Sequence, residues 1–271
     1  MNTAEVKDYG RIYSDLWGRY KTQIAAHQAA CNQIAADERD GTGGAVFYVG
    51  DDYLENVMQN TAVDIFKQLI FHAKIAFAPT PQDVLAIEEG EFLKHYIHPL
   101  EISGHWERFD PTEVWASLCA RYGDGAGNEI TYRQYAAKLR TFFYVRRGDP
   151  VKVVTGRVVL DRSVYLDPYD KASGKTVLGH NSREIMENGL SALASFCRWG
   201  DDNATAEGIK TYMENIQNAR GAITSRERIT ISPNLEVVTY HTRFEFRFTK
   251  ELADKFQLFM ASYADLKENA A

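Results

Sequence analysis

Apolar positions in the first 37 residues recur every three or four residues, the spacing of one face of an α-helix. The pattern predicts one long N-terminal helix over residues 3–37. Its apolar face either packs on the rest of the chain or pairs with a second copy of itself, which would make a homo-oligomer. The stripe consists of Tyr9, Ile12, Tyr13, Leu16, Trp17, Tyr20, Ile24, His27, Cys31 and Ile34.

More helices are predicted in the following 100 residues, where helix-breaking prolines and glycines separate the periodic segments. A third helix is expected from Thr80-Pro81 to about Ile97, because proline suits the first helical position. The residues DPTE at 110–113 resemble a capping box and should begin the next helix. After a glycine-rich loop at 123–127, Thr131 is expected to cap a further helix.

Period-two alternation replaces the helical pattern near the C-terminus and predicts strands. In VVTYHTRFEFRF, the residues Tyr240, Thr242, Phe244, Phe246 and Phe248 fall on one face of a strand. The alternate residues His241, Arg243, Glu245 and Arg247 fall on the other face. The phenylalanine face should be core, and the charged face should meet water or a binding partner. Thr249 is expected to cap a final helix.

Together these patterns predict an α+β protein. A helical N-terminal half with a long first helix would precede a C-terminal antiparallel sheet covered by helices. We predict a helical region at residues 1–122 and an α+β region at residues 123–271, with the alternative that both belong to one continuous domain.

The composition is that of a globular protein. The 271 residues are 45% hydrophobic and 12% aromatic, which is sufficient for a sizeable core. No apolar run approaches the roughly 20 residues that a membrane-spanning helix needs, and the N-terminus lacks the apolar region of a secretory signal. The three widely spaced cysteines are expected to be reduced. We therefore expect a cytoplasmic protein that does not contact a membrane.

Charge is distributed unevenly along the chain, whose net charge is −6. Residues 1–120 contain 9 basic and 18 acidic residues, a balance of −9, whereas residues 121–271 contain 22 and 19, a balance of +3. Residues 133–162 contain eight basic and two acidic residues. A local balance of +6 can attract a polyanion although the whole chain is acidic.

The basic residues of the second half are the candidate binding site. If the strands that carry them are neighbours, their exposed faces would form one cationic surface that contacts phosphates through arginine forks. The alternative is a solvated sheet face whose arginines pair with Glu245, Asp161 or the acidic first half. The predicted site consists of Arg146, Arg147, Lys152, Arg157, Arg162, Arg243 and Arg247.

Catalytic and cofactor motifs give no comparable prediction. The chain has no phosphate-binding GxxxxGK[ST] loop and no GxSxG nucleophile turn, so we predict no cofactor and favour a non-enzymatic role. The alternative is a metal-dependent or hydrolytic enzyme. If the third helix is intact, Glu91, His95 and His98 share one face of it and could form half of a metal site.

Three segments resemble a known family. FDPTEVWASL (109–118), EITYRQYAAKLRTFF (129–143) and VVTYHTRFEFRFTKELADKF (237–256) are similar to an uncharacterised domain family of bacterial plasmids and phages. Some members of that family are fused to, or lie beside, adenine-type DNA methyltransferases. The methyltransferase signatures are absent from this chain, so the resemblance implies a mobile-element context and assigns no catalytic residue.

These observations lead to one functional hypothesis with two alternatives. We predict a non-enzymatic accessory protein of a phage, plasmid or prophage that binds nucleic acid, or a nucleic-acid-processing host protein, through a basic sheet face. The first alternative is the enzyme that uses Glu91, His95 and His98. The second is an oligomeric inhibitor of a host protein, which would act by protein–protein contact through the long N-terminal helix.

Overall fold

The computed structural model describes residues 7–41, 51–144, 152–170, 175–217 and 222–264. It divides into two compact units, Met1–Thr131 and Tyr132–Ala271. The first unit is helical, and the second contains an antiparallel sheet packed against helices. The predicted α+β class is therefore confirmed. The sequence placed a boundary at residues 122–123, and the two units meet nine residues later, inside a helix.

The first unit begins with the long helix that the sequence predicts. Asp110 also caps its helix as expected, because its carboxylate accepts a hydrogen bond from the Thr112 backbone N–H at 2.8 Å. No helix within the described ranges is both long and apolar enough to cross a bilayer. The helices are α1 (Tyr9–Gly41), α2 (Asp51–Ala76), α3 (Glu89–Tyr96), α4 (His98–Ser103), a 3₁₀ turn (Trp106–Arg108), α5 (Pro111–Tyr122) and α6 (Ala126–Phe143).

Helix α1 is anchored through the first third of its length. Trp17 is buried, and the Tyr9 ring stacks on His72 of α2 with 4.0 Å between ring centroids. The Tyr13 hydroxyl lies 3.2 Å from Nε2 of the same histidine. From Lys21 to Ile34 every side chain is exposed or only half-buried. Of the predicted stripe, Tyr9, Tyr13, Trp17 and Tyr20 pack on the core of the first unit. Ile12 and Leu16, predicted on the same stripe, are each 51% exposed.

The predicted third helix begins nine residues late. Residues Asp83, Leu85 and Ile87 are buried, and the residues between them are exposed, which is the alternation of an extended chain. The Leu85 N–H donates to the carbonyl of Lys74, so this segment follows α2 before α3 begins at Glu89. Tertiary burial of Leu85 and Ile87 has overridden the local helix signal of Thr80-Pro81.

Helix α6, by contrast, begins earlier than predicted, at Ala126. Thr131 lies inside the helix, where its hydroxyl donates to the Gly127 carbonyl at 2.8 Å, so it is not a cap. A side chain at Gly127 would collide with the backbone carbonyl of Phe77, because an added Cβ would lie 2.3 Å from that oxygen. Glycine at this position permits the close approach of α6 to the end of α2.

The second unit contains the sheet. Five described strands form an antiparallel sheet in the order β1-β2-β7-β6-β5. Strands β3 and β4 form a separate antiparallel hairpin before α7. The elements are β1 (Lys152–Val154), β2 (Arg157–Ser163), β3 (Leu166–Asp170), β4 (Lys175–Leu178), α7 (His180–Trp199), α8 (Asn203–Gln217), β5 (Arg228–Ser232), β6 (Leu235–Thr239), β7 (Arg243–Phe248) and α9 (Lys250–Tyr263).

One face of β7 holds the core of the second unit. Phe244, Phe246 and Phe248 are fully buried, as their alternation predicts. Tyr240 and Thr242, predicted on the same face of one strand, instead lie in the turn between β6 and β7. The Phe246 ring makes edge contacts with Phe142 and Phe143 of α6, at centroid distances of 5.6 and 5.4 Å. Residues of α7, α8 and α9 complete the same cluster. Thr249 caps α9, where its hydroxyl accepts a hydrogen bond from the Leu252 N–H at 3.4 Å.

Two glycines of α1 give a matched test of how this helix packs. A Cβ added at Gly10 would lie 2.7 Å from Cβ of Trp115 in α5, whereas one added at Gly18 would meet nothing within 4 Å. Gly10→Ala should therefore destabilise the protein by about 1–3 kcal/mol through overpacking. Gly18→Ala should stabilise it by about 0.4–1 kcal/mol, because alanine loses less backbone entropy on folding.

Urea unfolding of both variants beside the wild type measures these free energies. Both variants replace a glycine of α1 with alanine. Opposite signs of their changes in unfolding free energy would therefore be due to the contact of residue 10 with Trp115. Equal destabilisation by both substitutions would contradict the packing described for α1.

Candidate functional site: the outer face of the sheet

Strand register brings four of the predicted basic residues to one face. Residues directly opposite each other in neighbouring antiparallel strands project to the same side of a sheet. Val159 lies opposite both Lys152 of β1 and Arg247 of β7. Arg157 and Arg243 lie at even spacings from those positions and so project the same way. We call this side, opposite the phenylalanines, the outer face.

The described helices of the second unit pack against the phenylalanine face of the sheet. Helices α6, α7, α8 and α9 all contribute to the cluster on the phenylalanine face. Val159 and Val238 project outward and are buried, yet neither belongs to that cluster. Long basic side chains commonly cover such short apolar residues with their aliphatic stems.

Glu245 is the centre of the outer face. Its carboxylate is 3% exposed, although it projects away from the core. Lys152 Nζ lies 2.7 Å from Oε1, and Arg247 Nη2 lies 3.0 Å from Oε2. Arg243 Nη2 lies 3.4 Å from Oε1, and the Tyr240 hydroxyl donates to Oε2 at 3.4 Å. One carboxylate therefore holds three cations, as in the pairing alternative that the sequence suggested.

These contacts change the acidity of Glu245. Burial alone would raise the pKa of this carboxyl, because it disfavours the charged form. Hydrogen bonds from Lys152 and Arg247, together with their positive charges, outweigh burial and lower the pKa to about 2. Glu245 is therefore ionised throughout the range in which the protein would operate.

A second carboxylate, Glu236 on β6, holds two further arginines. Arg157 Nη2 lies 3.5 Å from Oε1 and Arg228 Nε lies 4.0 Å from Oε2. Arg157 also donates to the carbonyl of Pro233 at 3.0 Å. Arg228 was not among the predicted site residues. The alternation of ERITI indicates which residues share a face of β5. Only the pairing of Arg228 with Val238 places Arg228 on the outer face.

The cations on this face outnumber the acids. Its described strand residues include five cations (Lys152, Arg157, Arg228, Arg243 and Arg247) and three acids (Asp161, Glu236 and Glu245), a balance of +2. The side chains of Lys152, Arg243 and Arg228 are 46%, 43% and 59% exposed. Three cations are therefore available to a partner, whereas the side chains of Arg157 and Arg247 are only 23% and 9% exposed.

Arg162 does not belong to the outer face. It lies opposite Phe244 in the register and so projects into the phenylalanine side, where it is buried. Its Nη1 donates to the carbonyls of Thr141 and Phe142 at 3.3 and 3.0 Å. The guanidinium also lies over the Tyr144 ring at 4.6 Å. Arg162 thus satisfies the last carbonyls of α6, and its placement in a cationic binding surface was wrong.

Arg146 and Arg147, also predicted as site residues, lie outside the described residues. The cationic surface is therefore defined here by Lys152, Arg157, Arg228, Arg243 and Arg247. Four of these five residues were predicted from the sequence.

The predicted metal half-site requires one intact third helix, but the structure divides this segment into two helices. Helix α3 ends at Tyr96 and α4 begins at His98, so His98 does not continue the face of Glu91 and His95. Glu91 forms an ion pair with Arg121, whose hydrogen bond lowers the pKa of that carboxyl. Across the described ranges, no group of three or more His, Cys, Asp or Glu side chains is arranged to hold a metal ion.

Two of the three cysteines are poorly suited to act as nucleophiles. Cys31, Cys119 and Cys197 are unpaired thiols, as expected for reduced cysteines. Burial raises the pKa of the Cys197 thiol far above its usual range, and burial also raises that of Cys119. A thiol in such surroundings stays protonated, so neither residue is a ready nucleophile.

The low pKa of Glu245 predicts how stability depends on pH. Because the folded-state pKa lies below the unfolded value, the carboxylate stabilises the protein fully above about pH 4.5 and loses this effect as pH falls towards about 2. Glu245→Gln should therefore cost about 2–3 kcal/mol at about pH 7, where it leaves three cations without their anion. The cost should shrink steadily on acidification.

Urea unfolding across this pH range measures the effect, and Asp161→Asn is the matched control. Asp161 lies opposite Glu245 on the same face but is exposed. Its substitution should change stability by less than about 0.5 kcal/mol. A cost for Glu245→Gln that stays constant down to about pH 3 would contradict the role assigned to this carboxylate.

Comparison with known proteins identifies no relative. No protein-family model, curated protein or solved structure matches this chain. The resemblance to the plasmid and phage domain family stays a prediction, and the function is inferred from the geometry of the outer face.

Proposed function

We propose that this protein is a non-enzymatic nucleic-acid-binding protein and that the outer face of its sheet contacts the phosphate backbone. The observation that carries the proposal is the group of five cations around Glu245 and Glu236. Each carboxylate is outnumbered by the cations that it holds, so each centre keeps positive charge for a partner.

The two carboxylates also orient the cations. Arg243 lies between Glu245 and the Tyr240 ring, whose centroid is 4.7 Å from the guanidinium carbon. Arg157 is held by Glu236 and by two backbone carbonyls. Side chains that are already ordered lose less conformational entropy when they bind, which favours affinity without new contacts.

Phosphates are better partners for this face than bases. Its exposed groups are cationic, and the Tyr240 ring is covered by Arg243 rather than presented for base stacking. Contacts to phosphate and sugar position a protein on nucleic acid but do not read its sequence. We therefore expect binding with little sequence preference.

The acidic part of the chain should keep this binding weak and dependent on salt. The whole chain has a net charge of −6, and residues 1–120 have a balance of −9. Long-range repulsion from these acids opposes the approach of a polyanion. Since counterion release dominates such complexes, the affinity should fall steeply as salt increases.

The proposed setting is the cytoplasm, where the three reduced thiols would persist. The resemblance to plasmid and phage proteins adds the proposal that the chain is an accessory protein of a mobile element. An acidic surface on a nucleic-acid-processing protein would meet the same exposed cations, and it is the alternative partner.

Removal of two exposed cations tests the proposal. Lys152→Gln with Arg243→Gln leaves Glu245 paired with Arg247, so the fold should be retained. We expect weaker binding to labelled DNA and a loss of about 1.5 in the slope of log affinity against log salt, corresponding to two phosphate contacts. Fluorescence anisotropy on single-stranded and duplex DNA of one sequence, at several salt concentrations, measures both quantities.

Arg140→Gln with Lys210→Gln is the matched control. These residues are also one arginine and one lysine, and both are exposed. They belong to α6 and α8, which pack on the other side of the sheet. The control pair should keep both the affinity and the salt slope of the wild type. Equal losses in the two double variants, or no binding by the wild type at low salt, would refute the proposal.

A further inference from the structure

A groove in the first unit lies between α1, α2 and the residues after α4. Its volume is about 520 Å³. From Lys21 to Ile34 no side chain of α1 is buried, whereas Leu54 of α2 and Trp106 are buried. The groove is therefore an open channel with a buried floor, and it involves no residue of the outer face.

The walls of this groove are largely apolar. Ile24 and Ala25 come from α1, and Leu54 and Met58 come from α2. Trp106 of the 3₁₀ turn also lines the groove. Apolar floors of this kind accept apolar side chains from a ligand, and methionine adapts its shape to them.

The charges at its rim are mainly negative. Glu55 and Glu107 line the groove together with Lys21. Lys21 is already engaged, since its Nζ donates to the Glu107 carbonyl at 3.3 Å. No ion pair or hydrogen bond links the Glu55 carboxylate to another described residue. A ligand therefore needs apolar groups for the floor and a cation for Glu55.

The apolar stripe of α1 continues past the groove. Cys31 is half-buried and Ile34 is 48% exposed, seven and ten residues after Ile24. At 1.5 Å per residue the stripe from Ile24 to Ile34 extends for about 15 Å, or about three helical turns. An occupant of that length is an extended segment such as a helix rather than a compact small molecule.

We propose that the groove binds a basic amphipathic helix of a partner protein. The apolar face of that helix would lie against Leu54, Met58 and Trp106, in the helix-in-groove mode, and a lysine or arginine would pair with Glu55. The balance of −9 over residues 1–120 favours a basic partner over another copy of this acidic unit. The proposal does not depend on nucleic-acid binding by the outer face.

A synthetic peptide pair tests the charge and shape of the occupant. The probe is a labelled peptide of about 18 leucines and lysines, with the leucines on one helical face, and the comparison peptide has glutamate for lysine. Fluorescence anisotropy with the full chain should detect binding of the lysine peptide only. Glu55→Gln should weaken it about three- to fivefold, because it removes one exposed ion pair.

Matched substitutions on the same two helices identify the groove as the site. Ala25→Arg places a cation in the groove and should weaken binding at least about tenfold, because it blocks the floor and repels the peptide. Ala30→Arg, about 140° round α1 from Ala25, should change the affinity less than about twofold. Asp64→Asn, nine residues after Glu55 on the opposite side of α2, should behave likewise.

Three results would overturn the proposal. The glutamate peptide binds as tightly as the lysine peptide, or Ala25→Arg and Ala30→Arg have equal effects. The third result is that the lysine peptide does not bind, while light scattering shows a dimer that Ala25→Arg abolishes. That last result would assign the groove to a second copy of the chain.

Discussion

The two-residue repeat of β7 is the constraint on which the second unit depends. In six residues this strand presents three phenylalanines to the helices and Arg243, Glu245 and Arg247 to the other side. Because β7 lies between β2 and β6, both its edges are paired and its register is fixed from two sides. A shift of one residue would exchange core and charge along the whole strand. The same alternation therefore defines both the hydrophobic core and the candidate site.

The burial of Glu245, and not only the number of cations, determines how the charges of the outer face are arranged. A carboxylate that is almost inaccessible costs desolvation energy unless several donors surround it, and Glu245 has four. These donors come from β1, from β7 and from the turn before β7, so the ion cluster ties the edge of the sheet to its centre. Asp161 remains exposed on the same face. The positive surface is thus a by-product of satisfying buried acids as well as a candidate contact for phosphate.

The sequence was sufficient where local chemistry decides the structure. The caps at Asp110 and Thr249 and the alternation of Phe244, Phe246 and Phe248 are local patterns, and all of them were predicted correctly. The sequence was insufficient where contacts with residues distant in the chain determine the local structure. The segment at Asp83–Ile87 is extended because Leu85 and Ile87 are buried, and a periodic pattern in a short segment does not reveal that burial.

Prediction of the site had the same limit. Arg157 and Arg162 are five residues apart on one strand, so alternation places them on opposite faces although they have the same charge. Arg228 and Glu236 entered the site only through the pairing of β5, β6 and β7. Sequence patterns indicate which residues share a face within a strand. They do not indicate which strands are neighbours.

Helix α6 has a consequence for the cooperativity of the whole chain. The two units meet between Thr131 and Tyr132, yet both residues lie inside this one helix. Ile130 packs with the core of the first unit, and Leu139 and Phe142 belong to the core of the second. Helix formation is cooperative, so unfolding of either core removes support from a helix that the other core also uses. One continuous helix therefore contributes residues to the cores of both units.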